Sequence, residues 1–87
     1  MNHFTVHDLT RILRSCGDSG TVDDLAETDL DTPVAELGFD SLAMLEVASV
    51  VQREYGVPMP DEALDHMITA RSTVAYVNAR MTEAGVA

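Results

Sequence analysis

The sequence predicts an all-α fold, a four-helix bundle with three main helices, one short third helix and a long first loop. Apolar residues recur at helical spacing in three segments, and no segment shows the alternation with hairpin turns that is typical of strands. The chain of 87 residues is long enough for one small domain and too short for two. We therefore expect residues 1–87 to form a single domain with a modest core.

The first helix is expected over about residues 6–16. One face of it carries Leu9, Ile12, Leu13 and Cys16. Thr5 is a suitable N-cap, Asp8 favours the positive end of the helix dipole, and Gly17 is a plausible stop. We interpret Cys16 as a small core residue, because it lies on the apolar face.

Residues 17–40 are predicted to form a long acidic loop. This segment contains three glycines, one proline and eight of the fifteen acidic residues of the chain. Its expected anchors in the core are Leu25, Leu30, Val34 and Leu37. A short helical turn is expected near Val34–Leu37.

The second helix is predicted from Ser41 to Tyr55. At 100° per residue, its core stripe consists of Met44, Val47, Ala48, Val51 and Tyr55. The opposite side carries Leu42, Leu45, Glu46, Ser49, Gln52 and Arg53. Leu42, Leu45 and Glu46 form either a small contact surface for a partner or simply scattered exposure.

A short third helix and a final main helix complete the predicted fold. Because Pro58 and Pro60 each favour an extended residue before them, the segment between helices cannot be helical throughout. Asp61 is expected to cap a short third helix over about residues 61–67. A final helix, capped by Thr69 or Ser72, is expected to end near Ala84. Its inward face carries Val74, Val77 and Met81.

The charge and composition exclude several classes of function. Fifteen acidic residues against five basic ones, all arginine, give a net charge of −10, which disfavours nucleic acid and anionic membranes as partners. No apolar stretch is long enough to span a membrane, and no secretory signal is visible at the N-terminus. The single cysteine cannot form a disulfide framework within the chain, so we expect a cytoplasmic protein.

Catalytic and metal-binding patterns are missing from the sequence. None of the three histidines stands next to a plausible nucleophile, and no His or Cys spacing matches a metal site. Asp29 and Asp31 have the spacing of calcium ligands, but Val34 occupies the position where an EF-hand loop needs glycine. We therefore predict no catalytic and no metal-ligating residues.

Ser41 is the residue whose position suggests chemistry. It lies at the junction between the acidic loop and the second helix, where unpaired N–H groups favour a phosphate. A hydroxyl there is also accessible to another enzyme, and Asp40 could help to hold a metal ion during phosphoryl transfer by that enzyme. The alternative is that Ser41 simply caps the helix, and Asp40 before it is another good candidate for the cap.

Two motifs carry a family resemblance. The segment ELGFDSLAMLE, residues 36–46, resembles the prosthetic-group attachment motif of acyl carrier proteins, and YGVPMPD, residues 55–61, resembles the passage between their second and third helices. The chain is most similar to the discrete carriers of type II (aromatic) polyketide synthases. Fatty-acid carriers are similar too, but Gln52 and Arg53 replace acidic residues that are usual there.

This resemblance implies a carrier without catalytic activity. Ser41 would bear a 4′-phosphopantetheine arm, donated by coenzyme A through a separate phosphopantetheinyl transferase, and the arm would hold polyketide intermediates as thioesters. Leu42, Leu45 and Glu46 would contact partner enzymes. The acyl chain would lie among Met44, Val47, Leu64 and Met67, for which plain core packing is the alternative.

The resemblance also implies the kinds of partner. These are a ketosynthase with its chain-length factor, an acyltransferase, a ketoreductase and cyclase-type enzymes, served by a monomeric carrier. The alternatives to this function are a fatty-acid carrier and an unmodified acidic helical module for protein interaction.

Overall fold

A computed structural model describes residues 3–16 and 29–85 of the chain. Its main helices are α1, Val6–Cys16, α2, Ser41–Tyr55, and α3, Ala70–Ala84. Two 3₁₀ helices, Val34–Leu37 and Asp61–His66, lie on either side of α2 in the chain. The predicted all-α architecture is confirmed. Within the described ranges, β pairing is limited to a single bridge between Pro33 and Thr69.

Helix α1 begins at a reciprocal cap. The N–H of Asp8 donates to Oγ1 of Thr5 at 3.2 Å, and the N–H of Thr5 donates to Oδ2 of Asp8 at 2.9 Å. This confirms Thr5 as the N-cap. The predicted apolar face is buried at Leu9, Ile12 and Leu13, whereas the predicted burial of the Cys16 side chain lies outside what the structure describes.

The described end of the first loop is anchored as predicted. Val34 is buried, and Leu30 and Leu37 are half-buried against the core. The expected turn at Val34–Leu37 is a 3₁₀ helix that ends at Gly38, whose φ of 98° is accessible mainly to glycine. The predicted anchor Leu25 lies outside the described residues.

Helix α2 buries the predicted stripe. Met44, Val47, Ala48 and Val51 are buried, and Tyr55 is half-buried. Val50 is buried as well, which the prediction did not include. It lies one turn beyond Val47, at the margin of the stripe, so neighbouring elements cover it.

The short third helix predicted over about residues 61–67 is confirmed as a 3₁₀ helix over Asp61–His66. The prediction that Asp61 caps it is wrong, because the residue at the N-cap position is Pro60, which makes no side-chain cap. The N–H of Ala63 donates to the carbonyl of Pro60 at 2.8 Å, an i to i+3 bond that produces the tighter helix.

The start of α3 uses both residues that the sequence left as alternatives. Oγ1 of Thr69 accepts the N–H of Ser72, and Oγ of Ser72 accepts the N–H of Thr69, each at 3.0 Å. Thr69 is the N-cap of this capping box. Val77 and Met81 are buried on the predicted inward face, and Val74 is half-buried.

The core forms between α2 and α3, which are joined through α1 and the second 3₁₀ helix. Helix α1 packs against α2 and α3, and the second 3₁₀ helix also packs against both of them. The ring of Phe4 meets Tyr55 edge-on, with centroids 5.3 Å apart. None of the helices in the described ranges has the length and hydropathy needed to cross a membrane.

Candidate functional site

Ser41 is the first residue of α2 and is exposed to solvent. Both neighbouring segments hold it in place. Phe39 is buried on one side and donates its N–H to the carbonyl of Val34 at 3.0 Å, and Met44 is buried on the other. The serine is therefore accessible but held at a defined position on the scaffold.

The N-cap of α2 is Asp40, not Ser41. The N–H of Ala43 donates to Oδ1 of Asp40 at 2.9 Å, and the backbone of Asp40 is extended. Among the described residues, the Ser41 hydroxyl makes no hydrogen bond. The interpretation of Ser41 as a simple cap is therefore wrong, because its hydroxyl takes no part in capping the start of the helix.

The end of α2 retains the electrostatic character expected for holding a phosphate group. Asp40 accepts the N–H of Ala43 with its side chain and that of Met44 with its carbonyl at 3.1 Å. The N–H groups of Ser41 and Leu42, at the first two helical positions, stay without an intrahelical partner. Together with the positive end of the helix dipole, they favour a phosphate attached at this point.

A cleft of about 350 Å³ opens directly beside Ser41 and Asp40. Three of the four residues predicted to line an acyl pocket lie on it, namely Met44, Leu64 and Met67. The fourth, Val47, does not line this cleft and is fully buried in the core. The remaining apolar lining comes from Pro33, Val34, Ala35, Phe39 and Ile68.

Exposed apolar side chains lie near the serine. Leu42 is 64% exposed and Leu45 is 46% exposed, and Glu46 beside them is exposed as well. Ile68, 52% exposed, lines the same cleft as Ser41, and the sequence analysis missed it. An apolar residue just before an N-cap usually packs on the fourth helical residue, here Thr73, so the sequence carries no sign that Ile68 is exposed.

The ionisable groups with shifted pKa values lie away from this site. A hydrogen bond to Glu54 raises the pKa of Arg11, and burial raises the pKa of Tyr55. Tyr55 ends α2, about 20 Å from Ser41 by helical rise. Across residues 3–16 and 29–85, no three His, Cys, Asp or Glu side chains come together in a way that could hold a metal ion.

The model of one protein family matches most of the chain. It is described as a phosphopantetheine attachment site, and it covers residues 19–77, with Ser41 near the middle. The chain belongs to the phosphopantetheine attachment-site family. Like the acyl carrier proteins of this family, it is a carrier rather than an enzyme, as the sequence predicted.

Relatives of this phosphopantetheine carrier come from polyketide synthases. The monensin polyketide synthase acyl carrier protein of Streptomyces virginiae is 39% identical to it, over 97% of this chain and 94% of the relative. The holo acyl carrier protein for actinorhodin from S. coelicolor is 31% identical, with a TM-score of 0.82 over 95% of this chain and 96% of the other. The 3,5-dioxohexyl form of the actinorhodin carrier, a triketide mimic, has a TM-score of 0.81 at 31% identity, over the same shares. The predicted acyl carrier resemblance is confirmed.

The residues at the start of α2 fit the family's cofactor, a covalently attached 4′-phosphopantetheine. The group needs a hydroxyl that can form a phosphodiester, and Ser41 offers one that is exposed and not engaged in capping. The open helix end suits the negative charge of the phosphodiester. The adjacent cleft provides an apolar surface next to the point of attachment.

Proposed function

We propose that Ser41 carries the 4′-phosphopantetheine arm and that the chain delivers polyketide intermediates, held as thioesters, to partner synthase enzymes. One observation carries this proposal. Asp40 caps α2, and the hydroxyl of the neighbouring Ser41 is exposed and takes no part in the cap. A modification at Ser41 therefore leaves the cap intact.

Attachment joins Oγ of Ser41 to the phosphorus of the phosphopantetheinyl group of coenzyme A. The bond that breaks is the pyrophosphate P–O bond of coenzyme A, so adenosine 3′,5′-bisphosphate leaves and the serine proton passes to a base of the transferase. On this chain, Asp40 keeps the helix end rigid through Oδ1, and its other oxygen is available to a metal ion of the transferase. The N–H groups of Ser41 and Leu42 stabilise the phosphodiester.

When bound, the arm supplies a terminal thiol, which holds acyl groups as thioesters. The chain's own contribution is to present this thiol at an exposed and fixed point of the surface. Tethering raises the effective concentration of an intermediate at each partner, so each protein contact can stay weak and reversible.

Polyketide cargo is supported by the relatives. The monensin relative is named as part of a polyketide synthase, and the structure with a triketide mimic has nearly the same fold. Met44, Leu64 and Met67 line the cleft where the acyl chain would be sheltered. Val47 is fully buried in the core and does not line this cleft.

Partner enzymes are proposed to dock on Leu42, Leu45 and Glu46. The exposed leucines offer apolar contact, and the net charge of −10 steers the chain toward basic surfaces. The proposed partners are a phosphopantetheinyl transferase, a ketosynthase with its chain-length factor, an acyltransferase, a ketoreductase and cyclase-type enzymes. We place this exchange in the cytoplasm, with residues 1–87 acting as a single monomeric carrier domain.

Attachment at Ser41 is tested by intact-protein mass spectrometry after incubation with coenzyme A and a broad-specificity phosphopantetheinyl transferase. The wild type is expected to gain one phosphopantetheine group, and Ser41→Ala none. Ser49→Ala, which removes an exposed serine on the same helix, is the matched control and should be modified like the wild type. Modification of Ser41→Ala, or none of the wild type, would overturn the proposal.

The cargo is tested by offering the loaded carrier to two elongation systems in parallel. One contains a polyketide ketosynthase with its chain-length factor, and the other contains a fatty-acid ketosynthase. Extension without reduction by the first system is expected. Extension by the fatty-acid system alone would show that the polyketide assignment is wrong while leaving the attachment at Ser41 intact.

A further inference from the structure

Two segments distant in sequence are joined beside the cleft, and we name their contacts the loop–α3 clip. The clip consists of the contacts between residues 30–34 and residues 68–71. The N–H of Val34 donates to the carbonyl of Ile68 at 2.8 Å, and the N–H of Arg71 donates to the carbonyl of Leu30 at 3.0 Å. Pro33 and Thr69 form the bridge between these two bonds.

A surface ion pair adds to the clip. Nε of Arg71 lies 2.8 Å from Oδ1 of Asp31, and both side chains are largely exposed, at 60% and 72%. Because water competes for such a contact, the ion pair adds little to the strength of the clip. Two backbone bonds and this pair hold the clip, and local opening of so few contacts does not require unfolding of the whole domain.

The clip also fixes the dimensions of the cleft. Pro33, Val34 and Ile68 belong to the clip, and all three line the cleft next to Ser41. The loop segment and the segment before α3 thus cannot separate at the cleft unless the bond between Val34 and Ile68 breaks. The volume of the cleft, about 350 Å³, is near the lower end of the 300–1,000 Å³ that is typical of ligand pockets.

We propose that the loop–α3 clip sets the size limit of the acyl chain that this carrier shelters: the closed clip admits short chains, and longer chains enter only when it opens. The inference rests on the proposed attachment of cargo at Ser41. It assigns a specificity-determining role to residues 30–34 and 68–71, which lie outside the attachment motif and outside α2.

The first test locks the clip. Bridge partners have Cα atoms about 4.5–5.5 Å apart, within the range that a disulfide spans. We would combine Pro33→Cys with Thr69→Cys, and Cys16→Ser to remove the third thiol. The same protein in its reduced form is the matched control, because it has the same composition and differs only in the lock.

Each form is loaded with a butanoyl or a dodecanoyl arm from the corresponding acyl-coenzyme A, and mass spectrometry verifies the loading. The readout is the chemical shift of the methyl groups of Met44 and Met67. Butanoyl is expected to shift them in both forms, and dodecanoyl in the reduced form alone. Equal dodecanoyl shifts in both forms, or no shift with either chain, would overturn the size limit. If neither form can be loaded, the proposed attachment at Ser41 is wrong.

The second test needs neither cargo nor a disulfide. In the unloaded protein, amide hydrogen exchange at Val34 and Arg71 is expected to be faster than at the buried core position Val51. Asp31→Asn should accelerate exchange at both clip positions together, by about 1.5-fold to 5-fold for an exposed pair. Glu83→Gln, which removes the exposed partner of Arg80, is the matched control and should leave them unchanged. Clip amides that exchange only at the rate of Val51 would refute the opening.

Discussion

Asp40 accepts the backbone N–H of Ala43 at 2.9 Å and thereby caps α2, which leaves the adjacent Ser41 without a capping role. The two neighbouring residues at the start of this helix therefore differ in role. The carboxylate of Asp40 stabilises the helix end, and the hydroxyl of Ser41 takes no part in the cap and stays exposed. This difference predicts that substitution of Asp40 lowers the stability, whereas substitution of Ser41 prevents attachment and leaves the stability nearly unchanged.

Asp40→Ala is expected to lower the free energy of unfolding by about 1 kcal/mol, because the N–H of Ala43 loses its acceptor. Asp40→Asn should retain most of the stability, since an asparagine oxygen also caps well. Ser41→Ala should change the free energy by no more than about 0.5 kcal/mol while abolishing attachment. Urea denaturation measures all three values. A loss of about 1 kcal/mol in Ser41→Ala would instead show that the serine is the cap.

Local signals explain most of what the sequence predicted correctly. The caps at Thr5 and Thr69 and the stripe of α2 depend on residues within one or two helical turns, so spacing alone reveals them. The error at Asp61 has a local cause as well. An acidic residue after a proline fits either the cap or the first helical position, and the i to i+3 bond to Pro60 decided for the latter.

Contacts between residues that are distant in the chain could not be predicted from the sequence. The loop–α3 clip joins backbone groups, which every residue possesses, so no side-chain pattern marks it. The exposure of Ile68 follows from this arrangement and had no signal of its own. At the start of α2, the motif in the sequence pointed to Ser41, but the finding that Asp40 and not Ser41 caps the helix required the structure.

Asn78 provides another such contact and a second prediction. Its side chain accepts the N–H of Phe4 at 2.9 Å and donates to the carbonyl of Phe4 at 2.8 Å, which fixes the start of the chain to α3. Asn78→Ala should cost about 1–3 kcal/mol, because it leaves two partly buried backbone groups of Phe4 without partners. Chemical denaturation followed by circular dichroism measures the loss.

The control for this variant is Thr82→Ala. Thr82 lies one turn further along α3 and is exposed, and its hydroxyl donates to the carbonyl of Asn78 in its own helix. Its replacement should change stability by no more than about 0.5 kcal/mol. Equal losses in the two variants would mean that the link to Phe4 does not account for the effect, because helix propensity favours alanine in both.

A third prediction separates docking from folding on α2. Leu42→Ala should leave stability within about 0.5 kcal/mol, because the side chain is 64% exposed, but it should raise the KM of the phosphopantetheinyl transferase for the carrier. Val47→Ala should instead lower the free energy of unfolding by about 1–3 kcal/mol, because it removes fully buried methyl groups. It should leave the KM of the transferase unchanged while the protein is folded.

Transferase kinetics and thermal melts of the same preparations check both halves of this prediction. Ser49→Ala serves as the reference for an exposed, small change on the same helix. If Leu42→Ala and Ser49→Ala gave the same KM, the proposed docking surface around Leu42 would have to be placed elsewhere.

A fourth prediction concerns alkaline pH. Burial raises the pKa of Tyr55, against the smaller opposing effect of the hydrogen bond from Arg11. Because the folded state holds this proton more tightly than the unfolded state, the contribution is complete below the ordinary tyrosine pKa of about 10 and is lost as pH rises through the folded value. The melting temperature should therefore fall above pH of about 10, and less steeply in Tyr55→Phe.

Tyr76→Phe is the control for this experiment. Tyr76 stacks on His66, with ring centroids 4.7 Å apart, and lies on α3 rather than at the end of α2. Parallel alkaline melts of the wild type and of Tyr55→Phe would contradict the role assigned to Tyr55, whatever the control shows.

The net charge supports a last prediction, in which two electrostatic effects oppose each other. Exposed ion pairs such as Arg71–Asp31 and Arg80–Glu83 contribute up to about 1 kcal/mol each, and salt weakens them. Repulsion within a chain of net charge −10 acts over longer distances, and eight of its acidic residues fall within residues 17–40. We expect repulsion to dominate, so the melting temperature should rise from low ionic strength to about 1 M salt, where the Debye length is about 3 Å.

Sodium chloride and sodium sulfate, compared at equal ionic strength, separate charge screening from general salt effects. A melting temperature that stays constant or falls in both salts would show that the ion pairs outweigh the repulsion.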